Sequence, residues 1–276
     1  PREEALRTLA SAQQLLERFE AGLADDGEDK LASRLLRMYG NGPHRELASL
    51  HAAVLHGQAA TGLIFDEIDD ETAEDIGRKL EEARKLREGG GEELQADLAD
   101  TLNSLGVLRQ RRGEYEEAEG YFLRSLKLRQ SEVQGTSAQV EQAQVQAQSF
   151  VSLGNLAMAR ADAMTAQGQA DERAKRELYG QALEHLTAAK EAYVRGFHEK
   201  HPKVAWALEG LGKVHEKMGN LTSAVAELKA AAEIRCQLQA QTPGKQMFQK
   251  ELGTLEERLA KDVRRLKLAT KVRQVM

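Results

Sequence analysis

Four groups of residues in this chain are of types that do chemistry elsewhere. His198-Glu199-Lys200-His201 puts two imidazoles three positions apart, just ahead of Pro202. Imidazole is a good zinc ligand, but a site needs three or four protein ligands, and no third falls at a matching spacing. No metal is expected there. His51 and His56 are five apart, which places them on different faces of a helix. Gly89-Gly90-Gly91 lacks the Lys-Ser/Thr that completes a phosphate-cradling loop, and no strand precedes it. Cys236 is the single cysteine, without clustered His or Asp to activate it, and reads as a buried structural thiol. No nucleophile, base and orienting group come together. The expectation is therefore a protein that is not an enzyme, with no cofactor and no small-molecule substrate.

Composition narrows the class. The chain has 276 residues, 30% charged and only 4% aromatic, with 4 prolines and a net charge of −5. Strands favour aromatic and β-branched residues, so this balance argues for helices. One cysteine excludes an internal disulfide and suits a reducing, intracellular compartment, either the cytoplasm or an organelle interior. No stretch approaches the roughly 18 uninterrupted apolar residues of a membrane span, so a soluble chain without direct membrane insertion is expected. The chain begins Pro1-Arg2-Glu3-Glu4 without Met or a signal-peptide pattern. That start leaves open both a removed targeting segment and a beginning inside a longer chain. Charge is uneven: residues 66–97 hold 13 acids against 5 bases, and residues 245–276 hold 9 bases against 4 acids. Solvated helix faces account for such runs most simply, and a docking polarity is the sharper alternative.

The elements that would position any site emerge from an internal repeat. Leu102-Asn103-Ser104-Leu105-Gly106 aligns with Leu208-Glu209-Gly210-Leu211-Gly212 at a shift of 106. The register continues through Gly113 with Gly219, Ala118 with Ala224, Phe122 with Leu228, Ser125 with Ala231 and Arg129 with Arg235. Leu102, Leu105 and Leu108 lie at helical spacing, and Gly106 lets a second helix approach closely. Gly113 ends the first helix; Ala118, Phe122 and Ser125 form a small-large-small stripe on the second. A third copy lies between: Phe150, Leu153 and Gly154, then Ala182, Leu186 and Ala189. Its Gly154 to Ala182 separation is 28 positions rather than 12. The inserted residues around 160–171 are good helix formers, which predicts two helices each extended by about two turns.

The flanks also read as helical. Residues 2–20 and 28–39 form one expected hairpin; 45–63 and 71–88 form another, with Asp70 or Thr72 as N-cap and Gly89-Gly90-Gly91 as the stop. Residues 246–275 read as a long basic helix capping the last repeat. The expected organisation is one continuous array: divergent hairpins over 1–91, three repeat hairpins over 92–244 and a cap over 245–276.

Leu102-Asn103-Ser104-Leu105-Gly106 followed by Gly113-Glu114-Tyr115-Glu116-Glu117-Ala118 resembles a tetratricopeptide repeat. The continuation through Tyr121, Phe122 and Leu128-Arg129, with His201-Pro202-Lys203-Val204-Ala205 before the last copy, resembles the longer subtype of kinesin light chains. The resemblance covers roughly residues 96–134 and 200–238, and 147–195 more weakly. It implies an all-α, right-handed solenoid of antiparallel hairpins that binds proteins through a concave groove. The chain departs from the subtype where Ser104 and Glu209-Gly210 stand in place of an Asn-Asn pair, and in its stretched middle copy. Kinesin membership and cargo are therefore not carried over.

In the family the first helix of each hairpin lines the groove. With the small residue numbered eighth, the groove positions fall on Asp100, Asn103, Val107, Gln110 and Arg111; Gln148, Val151, Asn155, Met158 and Ala159; and Trp206, Glu209, Lys213, Glu216 and Lys217. Asn103 and Asn155 can clamp a peptide backbone through donor and acceptor together. Trp206 is a candidate hot spot, with packing against the next repeat as the alternative. Arg111, Lys213 and Lys217 could receive a carboxylate, or simply pair with Glu209 and Glu216 on their own helix. The expected function is a non-catalytic scaffold or adaptor that holds a protein partner in this groove. The alternative is a structural subunit of a large multisubunit complex, attached through the stretched hairpin and the basic helix. Nucleic acid is not expected, since the first helices carry no regular basic ladder.

Overall fold

The glycines that the repeat alignment sets at helix ends do terminate helices. In the computed structural model, residues 42–63, 69–89, 91, 94–130, 136–165, 168–241 and 246–275 are described. The hairpin expected between residues 2 and 39 lies outside them. The chain divides into two units, Pro1–Arg129 and Gln130–Met276. In the first, α1 (Gly42–Gly62), α2 (Asp70–Glu88), α3 (Gln95–Arg111) and α4 (Tyr115–Leu128) pack each against the next. In the second, α5 (Thr136–Ala163), α6 (Gln169–Gly196), α7 (Pro202–Lys217), α8 (Leu221–Gln241) and α9 (Gln246–Val275) do the same, and α5 also meets α7. This neighbour-to-neighbour packing of helical hairpins is that of an α-solenoid.

The local causes of the boundaries are visible. Gly113 and Gly219 have φ of 76° and 78°, the left-handed conformation that closes a helix. After each, the chain turns back on matching hydrogen bonds. Glu114 N–H donates to Arg109 O at 2.9 Å, and Asn220 N–H to His215 O at 2.8 Å. Pro202 opens α7, where a missing N–H costs nothing. The N-cap of α2 is Asp69 rather than Asp70 or Thr72: its extended backbone lets the carboxylate accept the Thr72 N–H at 2.7 Å.

The core of each hairpin is a glycine of the first helix under a large side chain of the second. A Cβ on Gly106 would lie 2.5 Å from the Phe122 ring; on Gly154, 2.7 Å from Leu186 Cγ; on Gly212, 2.8 Å from Leu228 Cγ. Phe122, Leu186 and Leu228 are buried, as are Leu102, Leu105, Leu153, Leu208 and Leu211 from the facing helices. Cys236, by contrast, is exposed on α8. It follows the buried Arg235 and Ile234, one step round the helix from the packed face.

The stretched hairpin is helical in both arms, each of 28 residues. The extension is asymmetric, not two turns on each arm. Beyond Gly154, α5 continues to Ala163, about one turn more than α3 beyond Gly106; α6 begins at Gln169, nearly three turns further ahead of Ala182 than α4 begins ahead of Ala118. Gly168 sits extended at the N-cap of α6, and Asp171 and Glu172 put negative charge in its first turn, which favours starting the helix there.

Two glycine substitutions should separate packing from propensity. Gly106→Ala drives a methyl into Phe122, a ring without room to retreat, and should lower stability by roughly 2 kcal/mol. Gly120→Ala on α4 meets nothing within 4 Å and should raise stability by up to about 1 kcal/mol through helix propensity. Urea unfolding of the two variants beside the parent chain measures both.

Candidate binding site

The first-helix positions do different things in the two units. On α3, Val107 packs against the cluster that holds Ala59, Leu63, Ile76 and Leu80. Asn103 and Gln110 are half-buried and Arg111 is exposed, Asn103 and Arg111 each already engaged in a contact. Ser104, at which the chain departs from the Asn-Asn pattern, bonds His56 Nε2 at 3.0 Å and ties α1 to α3. Burial, with Arg87 adding to it, pushes the His56 imidazole below its ordinary pKa. On α5, Val151 packs with Tyr193 and Val204, and Met158 with Tyr179, Leu211 and Val214, while Asn155 is half-buried. Val107, Val151 and Met158 thus join neighbouring helices, and the polar positions remain nearer the surface.

The position-two residues reveal a second pattern. Arg129 is buried and bonds Asp100, and Tyr193 O–H donates to Gln148 Oε1 at 3.2 Å. Arg235, equally buried, reaches position five instead, bonding Glu209 at 2.6 Å. Arg87 on α2, also buried, donates to Asp97 O at 2.9 Å and to Thr101 Oγ1. Each cation is removed from water and met by at least one acceptor, although the Nε of Arg87 has none. The 106-residue shift marks Arg129 and Arg235 in the sequence, and a further 42-residue step marks Arg87. These arginines anchor second helices to first helices.

The pairs expected along α7 do not form. Glu209 is taken by Arg235, and Glu216 by two residues of the C-terminal helix, Arg258 at 3.0 Å and Arg265 at 2.8 Å. Burial raises the Glu216 carboxyl, but the Arg258 hydrogen bond and the Arg258, Arg265 and Lys261 charges outweigh it and hold the pKa below the usual range. Lys217 turns toward the stretched hairpin and bonds both oxygens of Asp162 at 2.9 Å; Tyr179 O–H donates to the same carboxylate at 2.6 Å. Burial followed by that bond to Asp162 pushes the Tyr179 phenol well above its ordinary pKa. On α2, by contrast, three of the seven acids pair along their own helix, Asp75 with Arg78 and Lys79, and Glu81 and Glu88 with Arg84.

One pocket lies among α7, α8 and α9. Trp206, 49% exposed, lines a pocket of about 540 Å³ with Glu209, Lys213, Arg235, Lys250, Thr254, Leu255 and Arg258. Among the described residues, Lys213 and Lys250 have no carboxylate within ion-pair distance. Leu252 and Leu255 are buried and Leu259 packs beside them, so α9 has an apolar stripe facing the last repeat. Lys250, Thr254 and Arg258 run beside it at i+4 spacing. That ridge was legible in the sequence as the polar flank of the stripe, although the helix reads first as an inert cap. Among the described residues no group of three His, Cys, Asp or Glu could hold a metal, and no helix is long and apolar enough to cross a membrane.

Comparison with known families agrees with the repeat register. Two models, each described as tetratricopeptide repeat, match residues 98–133 and 148–237, the first being a model typical of kinesin light chains. A search of curated proteins gives no match. Among solved structures, one described as the crystal structure of BtubC (BKLC) from P. vanneervenii matches with 18% identity, covering 85% of this chain and 92% of that one, at a TM-score of 0.41.

Glu216→Gln removes the charge that holds α9 to α7. Because the folded pKa of Glu216 is depressed, its contribution is present above the ordinary carboxylate pKa of 4.5 and is lost as pH falls through the lower folded value. The variant should release α9 to limited proteolysis faster than the parent at pH 7, and the difference should shrink as the pH is lowered toward that value.

Proposed function

Since the chain carries tetratricopeptide repeats, we propose that it is a non-catalytic adaptor that captures a protein segment on the α7 face of its second unit. Such repeats are protein-interaction modules in general; the particular site rests on one observation. A half-exposed Trp206 lines a pocket with Lys213 and Lys250, for which no carboxylate among the described residues lies within ion-pair distance, while the pocket's Glu209 is bound to Arg235. Tryptophan offers large, rigid contact area, and each lysine can receive a carboxylate. The segment that fits is short, carries at least two acidic residues, and places an apolar side chain against the indole. Asn155, half-buried on α5, is available to polar ligand groups, but the pocket requires no such contact.

The second reading, a subunit fixed in a larger assembly, draws on the stretched hairpin. Arg173 and Glu177 on its added turns are 85% and 66% exposed at the side chain. Cutting out residues 161–170 would also remove Asp162 and with it the brace to Lys217, so the cleaner test is Arg173→Glu with Glu177→Lys. Loss of co-purification with an assembly through that pair alone would favour this reading.

As the only tryptophan, Trp206 reports on its own pocket. Titration with a nine-residue peptide bearing two glutamates around a central leucine should change its emission, and 0.5 M salt should weaken the effect. Lys213→Glu with Lys250→Glu should reduce affinity at least 10-fold, about 1.4 kcal/mol. Equal affinity in parent and variant would sink the proposal.

A further inference from the structure

The turn that feeds α7 contains an aromatic and cationic cluster that the binding site does not use. His201 is the N-cap of α7, and its Nδ1 accepts the Lys203 N–H at 3.3 Å. Its ring stacks on Phe197 with centroids 3.8 Å apart and planes 2° from parallel, and meets His198 edge-on at 5.6 Å. Lys203 places its ammonium 5.2 Å from the Phe197 ring and 5.7 Å from the Tyr193 ring of α6. A nitrogen that accepts a backbone hydrogen bond must be unprotonated, so the cap exists only in the neutral imidazole with its proton on Nε2.

Protonation works against this arrangement in three ways. It removes the acceptor that holds the first turn. It puts a cation at a helix N-terminus, where the backbone dipole already presents positive charge. It also adds a charge beside Lys203 and His198; the Phe197 face on which the His201 ring stacks attracts an imidazolium, but Lys203, 5.2 Å from the same ring, repels it. The titratable groups acting on the ring are His198 from the turn and Lys203 from α7, with the Tyr193 phenol of α6 beyond Lys203; Glu199 and Lys200 share the turn and are exposed.

We propose that His201 is a pH-sensitive latch on the start of α7: neutral, it pins the first turn of the helix that carries Trp206; protonated, it releases that turn. Burial first, then His198 and Lys203, lower its pKa from the ordinary 6.5. A depressed folded pKa for a base means that the neutral form is favoured by folding. The stabilisation is therefore complete above 6.5 and is lost as the pH falls through the lower folded value. The five-residue separation of His201 from Trp206 makes the first turn of α7 both the latch and the support of the indole.

The test uses the free chain, with no ligand, so that it stands or falls apart from the adaptor reading. Trp206 emission and amide exchange of residues 203–206 would be followed between pH 7.5 and 5. The parent should show faster exchange and an emission change with a midpoint below 6.5. His201→Asn keeps a good cap that does not titrate, and should abolish the transition while leaving the pH 7.5 spectrum unchanged. His198→Asn removes a like charge and should move the midpoint upward. A flat parent profile, or a transition that survives unchanged in His201→Asn, overturns the latch.

Discussion

The structure depends on how closely two helices of a hairpin can approach. In three hairpins that distance is set by one glycine under one large side chain, with Phe122, Leu186 or Leu228 filling the space a Cβ would need. Dispersion falls steeply with separation, so a gap of even an ångström between the helices would forfeit much of the attraction along both. Everything else in a repeat follows from that approach. The small residues Ala118, Ala182 and Ala224 continue the contact one turn away, and the leucines at positions four and seven of the first helix are drawn into the same layer. The glycine contact itself takes a ring only at Phe122; the buried Tyr179 and Tyr193 lie elsewhere on α6, where the glycine contact is made by Leu186.

This is why the fold was legible from the sequence. A glycine, a turn glycine seven positions on and a small-large-small stripe are irregular enough as a pattern that a shift of 106 aligns them without ambiguity. The stretched hairpin was legible too, but not how the extension divides between its two arms. Helix propensity is nearly uniform from Arg160 to Gln167, and the position of the turn is decided by the extended Gly168 and the two acids behind it. Cys236 was misjudged for a related reason. Its neighbours Ile234 and Arg235 are buried, and one residue of rotation separates the packed face from solvent.

The binding face was less legible because family positions locate backbone, not side-chain partners. Lys213 and Lys217 sit one turn apart on α7, yet Lys217 is drawn to Asp162 on the stretched hairpin while Lys213 stays beside the pocket. Glu216 looked like an intrahelical partner and instead receives two arginines from a helix more than forty residues away in sequence. Long-range charge matching of this kind has no local signature. It makes the basic C-terminal helix a wall of the pocket as well as a cover, because Arg258 serves the ion pair and the pocket together.

The unequal arms of the middle hairpin bear on how the second unit folds. Helix pairs that touch only their neighbours form from local contacts, and loop closure between residues close in sequence is cheap. The α5–α6 pair joins two 28-residue helices through residues 164–168, so it gains the longest run of helix contact in the unit for a small loss of chain entropy. On those physical grounds that hairpin is the expected nucleus of the unit. The shorter extension, on α5, then bears on how α7 is held: Asp162, on the added turn, bonds Lys217 of α7, and Tyr179 of α6 donates to the same carboxylate.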